Sequence, residues 1–155
     1  MRNFEAGSGS LKLDELLRSS ALVADGFMGH DRRGAAEIVQ ADAATLAKYG
    51  VTAALLARRM RELTDLALAG LGTQVEAGAG DLLVSCEECK GWLVCPWGHA
   101  GHYAKRVTTA ARPAKGAVLT WTDLNVHLIE AHGFFEGQGS AFRIEPAAAA
   151  EFLCG

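Results

Sequence analysis

Three of the four cysteines and four of the five histidines lie between residues 86 and 132. Their order is Cys86-x2-Cys89, Cys95-x3-His99, His102 and His127-x4-His132. Thiolate sulfur and imidazole nitrogen are the ligands that Zn²⁺ prefers, and two closely spaced pairs can supply the four corners of a tetrahedron. The pattern therefore predicts a zinc site, and zinc binding would help to stabilise a small domain.

His127 and His132 are common to both ligand sets that the spacing allows. A pair of histidines separated by three to five residues near a helix end is a known zinc-binding arrangement. On a straight helix these two side chains would point about 140° apart. We therefore expect the last turn of the helix to distort, which the adjacent Gly133 permits.

The other two ligands come from one of two pairs, Cys86 with Cys89 or Cys95 with His99. Cys-x2-Cys is the more typical spacing, and the Lys90-Gly91 that follows resembles a zinc knuckle. A strand pattern runs through both cysteines, however, so they also fit ordinary hairpin positions. The alternative pair lies in a loop with Pro96 and Gly98, which have the turn chemistry that a ligand loop needs.

The loop Cys95-Pro-Trp-Gly-His99 precedes a predicted hairpin and then a helix, which is the order found in treble-clef zinc fingers. Together with the segment His127-Leu-Ile-Glu-Ala-His-Gly-Phe-Phe-Glu-Gly, it resembles a signature of small uncharacterised bacterial proteins, over about residues 26–146. The resemblance implies a ligand loop and a ligand helix without a firm Cys-x2-Cys, and it implies no activity. On this basis the predicted metal ligands are Cys95, His99, His127 and His132.

The composition is that of an ordinary globular chain. With 155 residues, of which 50% are hydrophobic and 21% charged, the chain suits one domain or a small domain with an appendage. Its net charge of −3 gives no overall attraction to nucleic acid. Neither a membrane span nor a signal peptide is indicated, so we expect a cytoplasmic protein. Reduced thiols in that compartment favour metal binding over disulfides.

The first half of the sequence predicts helices. Residues 1–10 are polar and rich in glycine and serine, and we expect them to be flexible. The segment 11–72 is expected to be helical, with a helical hairpin at its short turn. Its predicted helices are a short one over 11–17, one from about Arg33 to Tyr49 capped by Asp31, and one from about Ala53 to Ala69 capped by Thr52.

The segment 81–146 predicts the zinc-binding domain. Two hairpins are expected, one pairing 81–85 with 91–94 and one pairing 102–109 with 117–121. A helix over 122–132, capped by Thr120 or Thr122, should end at Gly133. We also expect a closing strand over 141–145, a C-terminal tail over 147–155 that is at most a short helix, and a dry shell around the metal made by Trp92, Trp97 and Trp121.

These segments predict an α+β protein, with N-terminal helices packed on a small, zinc-stabilised, treble-clef-like unit of β-hairpin and helix. Four protein ligands leave no open position on zinc, which favours a structural site. We therefore predict a non-enzymatic binding or adaptor module for a protein partner or nucleic acid. The alternative is a zinc-dependent hydrolase or nuclease with an open position, in which Glu130 is the general base.

Two groups of basic residues are candidates for contact with nucleic acid. They are Arg58, Arg59 and Arg61 on the predicted third helix, and Lys105, Arg106, Arg112 and Lys115 on the second hairpin. Glu62 and Asp65 offset the charge of the first group. A solvated charged surface is the commoner explanation of both groups, so neither identifies a partner.

Overall fold

The computed structural model describes residues 11–155, and the predicted flexible segment 1–10 lies outside them. A first helix, α1, covers residues 11–18. The remaining elements are α2 (Ala35–Lys48), α3 (Ala53–Leu68), β1 (Val75–Ala77), β2 (Leu82–Leu93), β3 (Tyr103–Arg112), β4 (Ala117–Thr122), α4 (Asp123–His132) and α5 (Pro146–Cys154). This mixture of helices with an antiparallel sheet confirms the α+β prediction. None of the described helices combines the length and the apolar character that a membrane span requires.

The four strands form one antiparallel sheet in the order β1-β2-β3-β4. The prediction of a hairpin between 81–85 and 91–94 is wrong, because residues 82–93 form the single strand β2. This strand pairs with β1 on one side and with β3 on the other, from the pair Leu83 and Ala111 at one end to Leu93 and Tyr103 at the other. Gly91, at φ +111, lies where the register shifts, so its turn-like composition accommodates a bulge within the strand.

The long hairpin of β2 and β3 determines where the predicted ligand loop lies. Residues 94–102 connect the two strands, so the loop that begins at Cys95 is the tip of this hairpin. The second predicted hairpin, between β3 and β4, is confirmed by pairs from Val107 with Thr122 to Arg112 with Ala117. The predicted closing strand over 141–145 is wrong, because residues 141–142 form a turn and residues 143–145 have no regular secondary structure.

Side-chain caps begin α3 and α4 as predicted. The Thr52 hydroxyl accepts a hydrogen bond from the amide of Leu55 at 3.1 Å. Thr122 and Asn125 form a reciprocal capping box at the start of α4. Because Thr122 is also the last residue of β4, the sheet directly sets the position and direction of this helix.

The predicted cap of α2 by Asp31 is wrong. The helix begins at Ala35. The Ala35 amide donates to a carboxylate oxygen of Asp14, a residue of α1, at 3.0 Å. Asp31 instead accepts hydrogen bonds from the Arg33 guanidinium and from the amide of Gln138. This carboxylate therefore ties the segment before α2 to the loop after α4.

Two clusters of buried side chains form the core. The larger one joins α3, the sheet and α5, with Leu56, Met60, Val84 and Trp121 among its fully buried members. The smaller one joins α1, α2 and α4 with the hairpin tip, and it includes Cys95 and Phe134. Helices of the first half and strands of the second half thus share their cores. The buried residues of α5 also make the C-terminal segment part of this packing.

Candidate metal centre

The structure brings all four predicted ligands to one place. One ligand atom from each of Cys95, His99, His127 and His132 lies within 4.8 Å of the others. Among residues 11–155, this is the one group of three or more histidines, cysteines or carboxylates that is close enough to hold a metal ion. The group can therefore bind a metal with four protein ligands drawn from a loop and a helix.

The hairpin tip supplies Cys95 and His99. Cys95 is 3% exposed and packs in the smaller core cluster, whereas His99 is exposed. The carbonyl of Cys95 accepts a hydrogen bond from the amide of Gly98 at 3.0 Å, which closes a tight turn. Gly98 has φ +83, a conformation that glycine adopts at little cost. This turn brings His99 back towards the buried cysteine.

Helix α4 supplies His127 and His132. Both lie within the regular helix, with His132 as its last residue and Gly133 in the left-handed conformation at φ +62. Their imidazole centroids are nevertheless 5.5 Å apart. The side chains therefore reach a common point from a helix that remains helical to its last residue, and the expected distortion of the final turn is not needed.

The closest interatomic distances match the edges of a metal tetrahedron. Cys95 Sγ lies 3.4 Å from Nε2 of His132, and Nδ1 of His99 lies 3.2 Å from Nε2 of His127. Zinc bonds of about 2.3 Å to sulfur and about 2.05 Å to nitrogen give tetrahedral edges of about 3.5 Å and about 3.3 Å, respectively. Two of the six edges of a zinc tetrahedron are thus already close to their expected lengths, and the other ligand atoms lie within 4.8 Å.

Aromatic rings hold the histidines in place. The indole of Trp97 stacks on His132 at a centroid distance of 4.1 Å and an interplanar angle of 11°. Phe134, which is fully buried, contacts the edge of the same indole at 5.3 Å. Tyr103 stacks on His127 at a centroid distance of 4.7 Å. These contacts orient the imidazole rings of two predicted ligands.

The predicted shell of three tryptophans is only partly present. Trp97 is the one that contacts a ligand, as expected. Trp92 is 66% exposed on the bulged part of β2, because the register shift turns it away from the core. Trp121 is fully buried in the larger core cluster, where its indole N–H donates to the Thr64 hydroxyl at 2.9 Å. The second aromatic ring stacked on a predicted ligand is Tyr103, on His127, and not a tryptophan.

The ring environments keep two of the ligands neutral. Burial, together with the neighbouring imidazoles of His99 and His127, lowers the pKa of His132 to about 4. Burial and then His99 also lower the pKa of His127. Metal ions bind the neutral imidazole, so both side chains are in their binding form at neutral pH.

The alternative cysteine pair is not assembled with the histidines. Cys86 and Cys89 both lie on β2, where Cys86 is buried in the larger core cluster and Cys89 is exposed. Burial raises the pKa of the Cys86 thiol, which disfavours the thiolate that a metal requires. His102 is exposed and also lies outside the metal group. Its ring centroid is 6.0 Å from that of Trp92.

Ion pairs occupy several of the other candidate residues. Glu130 forms a salt bridge with Arg61 at 2.8 Å, and this guanidinium lowers the pKa of the carboxylate. Arg106 pairs with Glu88 and Asp123, and Arg112 pairs with Asp81. Arg106 and Arg112 are therefore partly neutralised, which reduces the positive potential of the basic strip predicted on the second hairpin.

No protein-family model, no curated protein and no solved structure matches this chain. The geometry of the site is therefore the basis on which a function is inferred. Tyr103 is the site residue that sequence reasoning missed. Its only signal was its position at the start of a strand, directly after the ligand loop.

Proposed function

We propose that Cys95, His99, His127 and His132 bind one Zn²⁺ in a closed, structural site. The main support is the convergence of four soft or borderline ligand atoms within 4.8 Å of one another, two of whose separations are close to tetrahedral edges. One thiolate with three imidazoles suits zinc, and four protein ligands leave no position for a reactive water. The ion would fix the tip of the β2–β3 hairpin against the end of α4, in a treble-clef-like arrangement of loop, hairpin and helix.

On this proposal the protein is a binding or adaptor module, whose zinc makes a surface rigid for a protein partner or a nucleic acid. The surface would be the hairpin tip, since its residues 98–102 are exposed while Cys95 is buried. The bacterial proteins that share the signature would use the same four positions. A cytoplasmic location, where the Cys95 thiol stays reduced, is part of the same proposal.

Elemental analysis of the purified chain tests the ligand assignment. We expect about one zinc per chain in the wild type, and loss of the metal in Cys95→Ser and His132→Ala. Cys89→Ser and His102→Ala are matched controls, because each changes the same residue type outside the group. Retention of zinc in Cys95→Ser, or its loss in Cys89→Ser, would show that the ligand assignment is wrong.

An enzymatic alternative, a zinc-dependent hydrolase or nuclease, is favoured by one observation. A polar pocket lined by Arg61, Arg106 and Asp123 includes His127 and so adjoins the metal group. Catalysis there would require an open metal position, which exists only if the exposed His99 leaves the metal. Cobalt in place of zinc distinguishes the two functions, because added azide changes the visible spectrum of an open site and leaves a closed tetrahedral site unchanged.

A further inference from the structure

A second cavity lies away from the metal group. It has a volume of about 320 Å³ and lies between residues 22–27, the strands β2 and β3, and the loop after α4. Most of its wall is apolar, with Leu22, Phe27, Leu93 and Phe142 among the lining residues. This volume is at the small end of the range for ligand pockets. Glu136 and Ser140 also line it and introduce a polar region into the apolar wall.

Glu136 is an unusual residue to find in such a wall. It is only 5% exposed, and its backbone adopts φ +69, a conformation that side-chain-bearing residues rarely take. Its carboxylate oxygens accept hydrogen bonds from the Asn125 amide and the Ser140 hydroxyl, each at 2.7 Å. Both donors are neutral, and burial raises the pKa of the carboxyl group. The position therefore holds a buried acid without a cation of its own.

The nearest guanidinium is already committed to other carboxylates. Arg143 donates to the main-chain oxygen of Glu136, but its side chain forms a bidentate pair with Asp42 at 2.6 and 2.9 Å. The Nε of Arg143 also donates to a carboxylate oxygen of Glu145 at 3.3 Å. Two acidic side chains, Asp42 and Glu145, thus share this guanidinium, which meets Glu136 only at its main-chain oxygen. Among residues 11–155, the Glu136 carboxylate therefore has no salt bridge beside the apolar cavity, and an ammonium group there would stabilise the ionised form that burial disfavours.

We infer that this cavity binds a small apolar molecule with a single positive charge, such as an alkyl- or arylammonium, with Glu136 as its counter-ion. The apolar body of the ligand would lie against Phe27 and Leu93, and its ammonium group would donate to the Glu136 carboxylate. Lys105 also lines the cavity, but it is exposed, so water screens its charge much more than that of the buried acid. This binding does not depend on the metal proposal.

The test uses the full chain and three probes of similar size: benzylammonium, benzyl alcohol and benzoate. Titrations are followed by calorimetry and by amide chemical shifts. We expect benzylammonium to bind at least about tenfold more tightly than the neutral and anionic probes, with shifts at residues that line the cavity. Preferential binding of benzoate would point to Lys105 and would overturn the inference, as would a failure of benzylammonium to bind.

Two variants and one control separate recognition from general effects. Glu136→Gln should weaken benzylammonium binding by about tenfold or more and remove its advantage over benzyl alcohol. Val107→Phe should block all three probes, because Val107 lines the cavity and a larger side chain fills it. Glu62→Gln makes the same change at an exposed position and should bind like the wild type. Unchanged binding in a folded Glu136→Gln or Val107→Phe would refute the assignment.

Discussion

Trp97 connects the metal group to the core, so Trp97→Ala is the sharpest test of how the ligands are held. The substitution removes the stacked contact with His132 and the edge contact with Phe134. Aromatic pairs contribute about 0.5–1.5 kcal/mol each beyond their buried area, so the two contacts together give about 1–3 kcal/mol. We expect the free energy of unfolding of the metal-free chain to fall by at least this amount, because the substitution also removes the apolar area that the indole buries against the smaller core cluster.

For the proposed zinc site, the same substitution should lower the zinc affinity, since His132 loses the surface that orients its ring. Residues that orient metal ligands typically change metal affinity by about 10- to 100-fold, which corresponds to about 1.4–2.7 kcal/mol. Competition with a chromophoric chelator measures this affinity, and urea denaturation of the metal-free chain measures the stability. Trp97→Phe should recover part of both losses because it keeps a flat ring at the position.

Trp92→Ala is the matched control for these measurements. Trp92 is 66% exposed, and its nearest aromatic neighbour is His102 at 6.0 Å. Its replacement should change stability by no more than about 0.5 kcal/mol and leave zinc affinity unchanged. Equal effects of the two alanine variants on zinc affinity, or an unchanged affinity in Trp97→Ala, would refute the role given to the Trp97 stack.

Three further substitutions test the packing around the site. Asp31→Asn should cost about 2–3 kcal/mol near neutral pH, because charged hydrogen bonds are lost. Arg33 holds the pKa of Asp31 well below its ordinary value of 3.8, so the stabilisation is present above that value and declines as the pH falls. Urea denaturation should therefore show a smaller difference in unfolding free energy between Asp31→Asn and the wild type at about pH 3 than near neutral pH. A difference that does not change with pH would contradict this explanation. Thr64→Val removes the acceptor of the Trp121 N–H. The free energy of unfolding, measured by thermal or urea denaturation, should fall by about 1–3 kcal/mol. An unchanged stability would mean that the buried N–H has another partner. Gly133→Ala places a side chain at φ +62 and should cost about 1–2 kcal/mol in the same assays, unless the end of α4 can rearrange.

Features with a local cause were predictable from the sequence. Thr52 and the Thr122 capping box determine where α3 and α4 begin, and Gly133 determines where α4 ends, through contacts within a few residues. The alanine-rich end predicts at most a short helix, whereas α5 extends from Pro146 to Cys154. Pro146 occupies its first turn, where proline is well tolerated, and is a good start signal.

Features that depend on distant residues were not predictable in the same way. The amide at the start of α2 is satisfied by Asp14, a residue of another helix. The segment around Gly91 has the composition of a turn, and only its pairing with β3 keeps it in a strand. The choice of metal ligands also depends on distant residues. Spacing alone does not distinguish Cys86 with Cys89 from Cys95 with His99, because the tertiary fold determines which pair lies beside α4.

The direction of α4 has an electrostatic consequence for the metal group. The peptide dipoles of a helix give its C-terminal end a partial negative charge of about half an elementary charge. His132 is the last residue of α4, so this end of the helix lies next to the ligands. One thiolate and three neutral imidazoles would leave a bound Zn²⁺ with a net positive charge. The capping box at Thr122 thus does more than start a helix, because it helps to direct the negative end of the helix dipole towards the place where the proposed ion would bind.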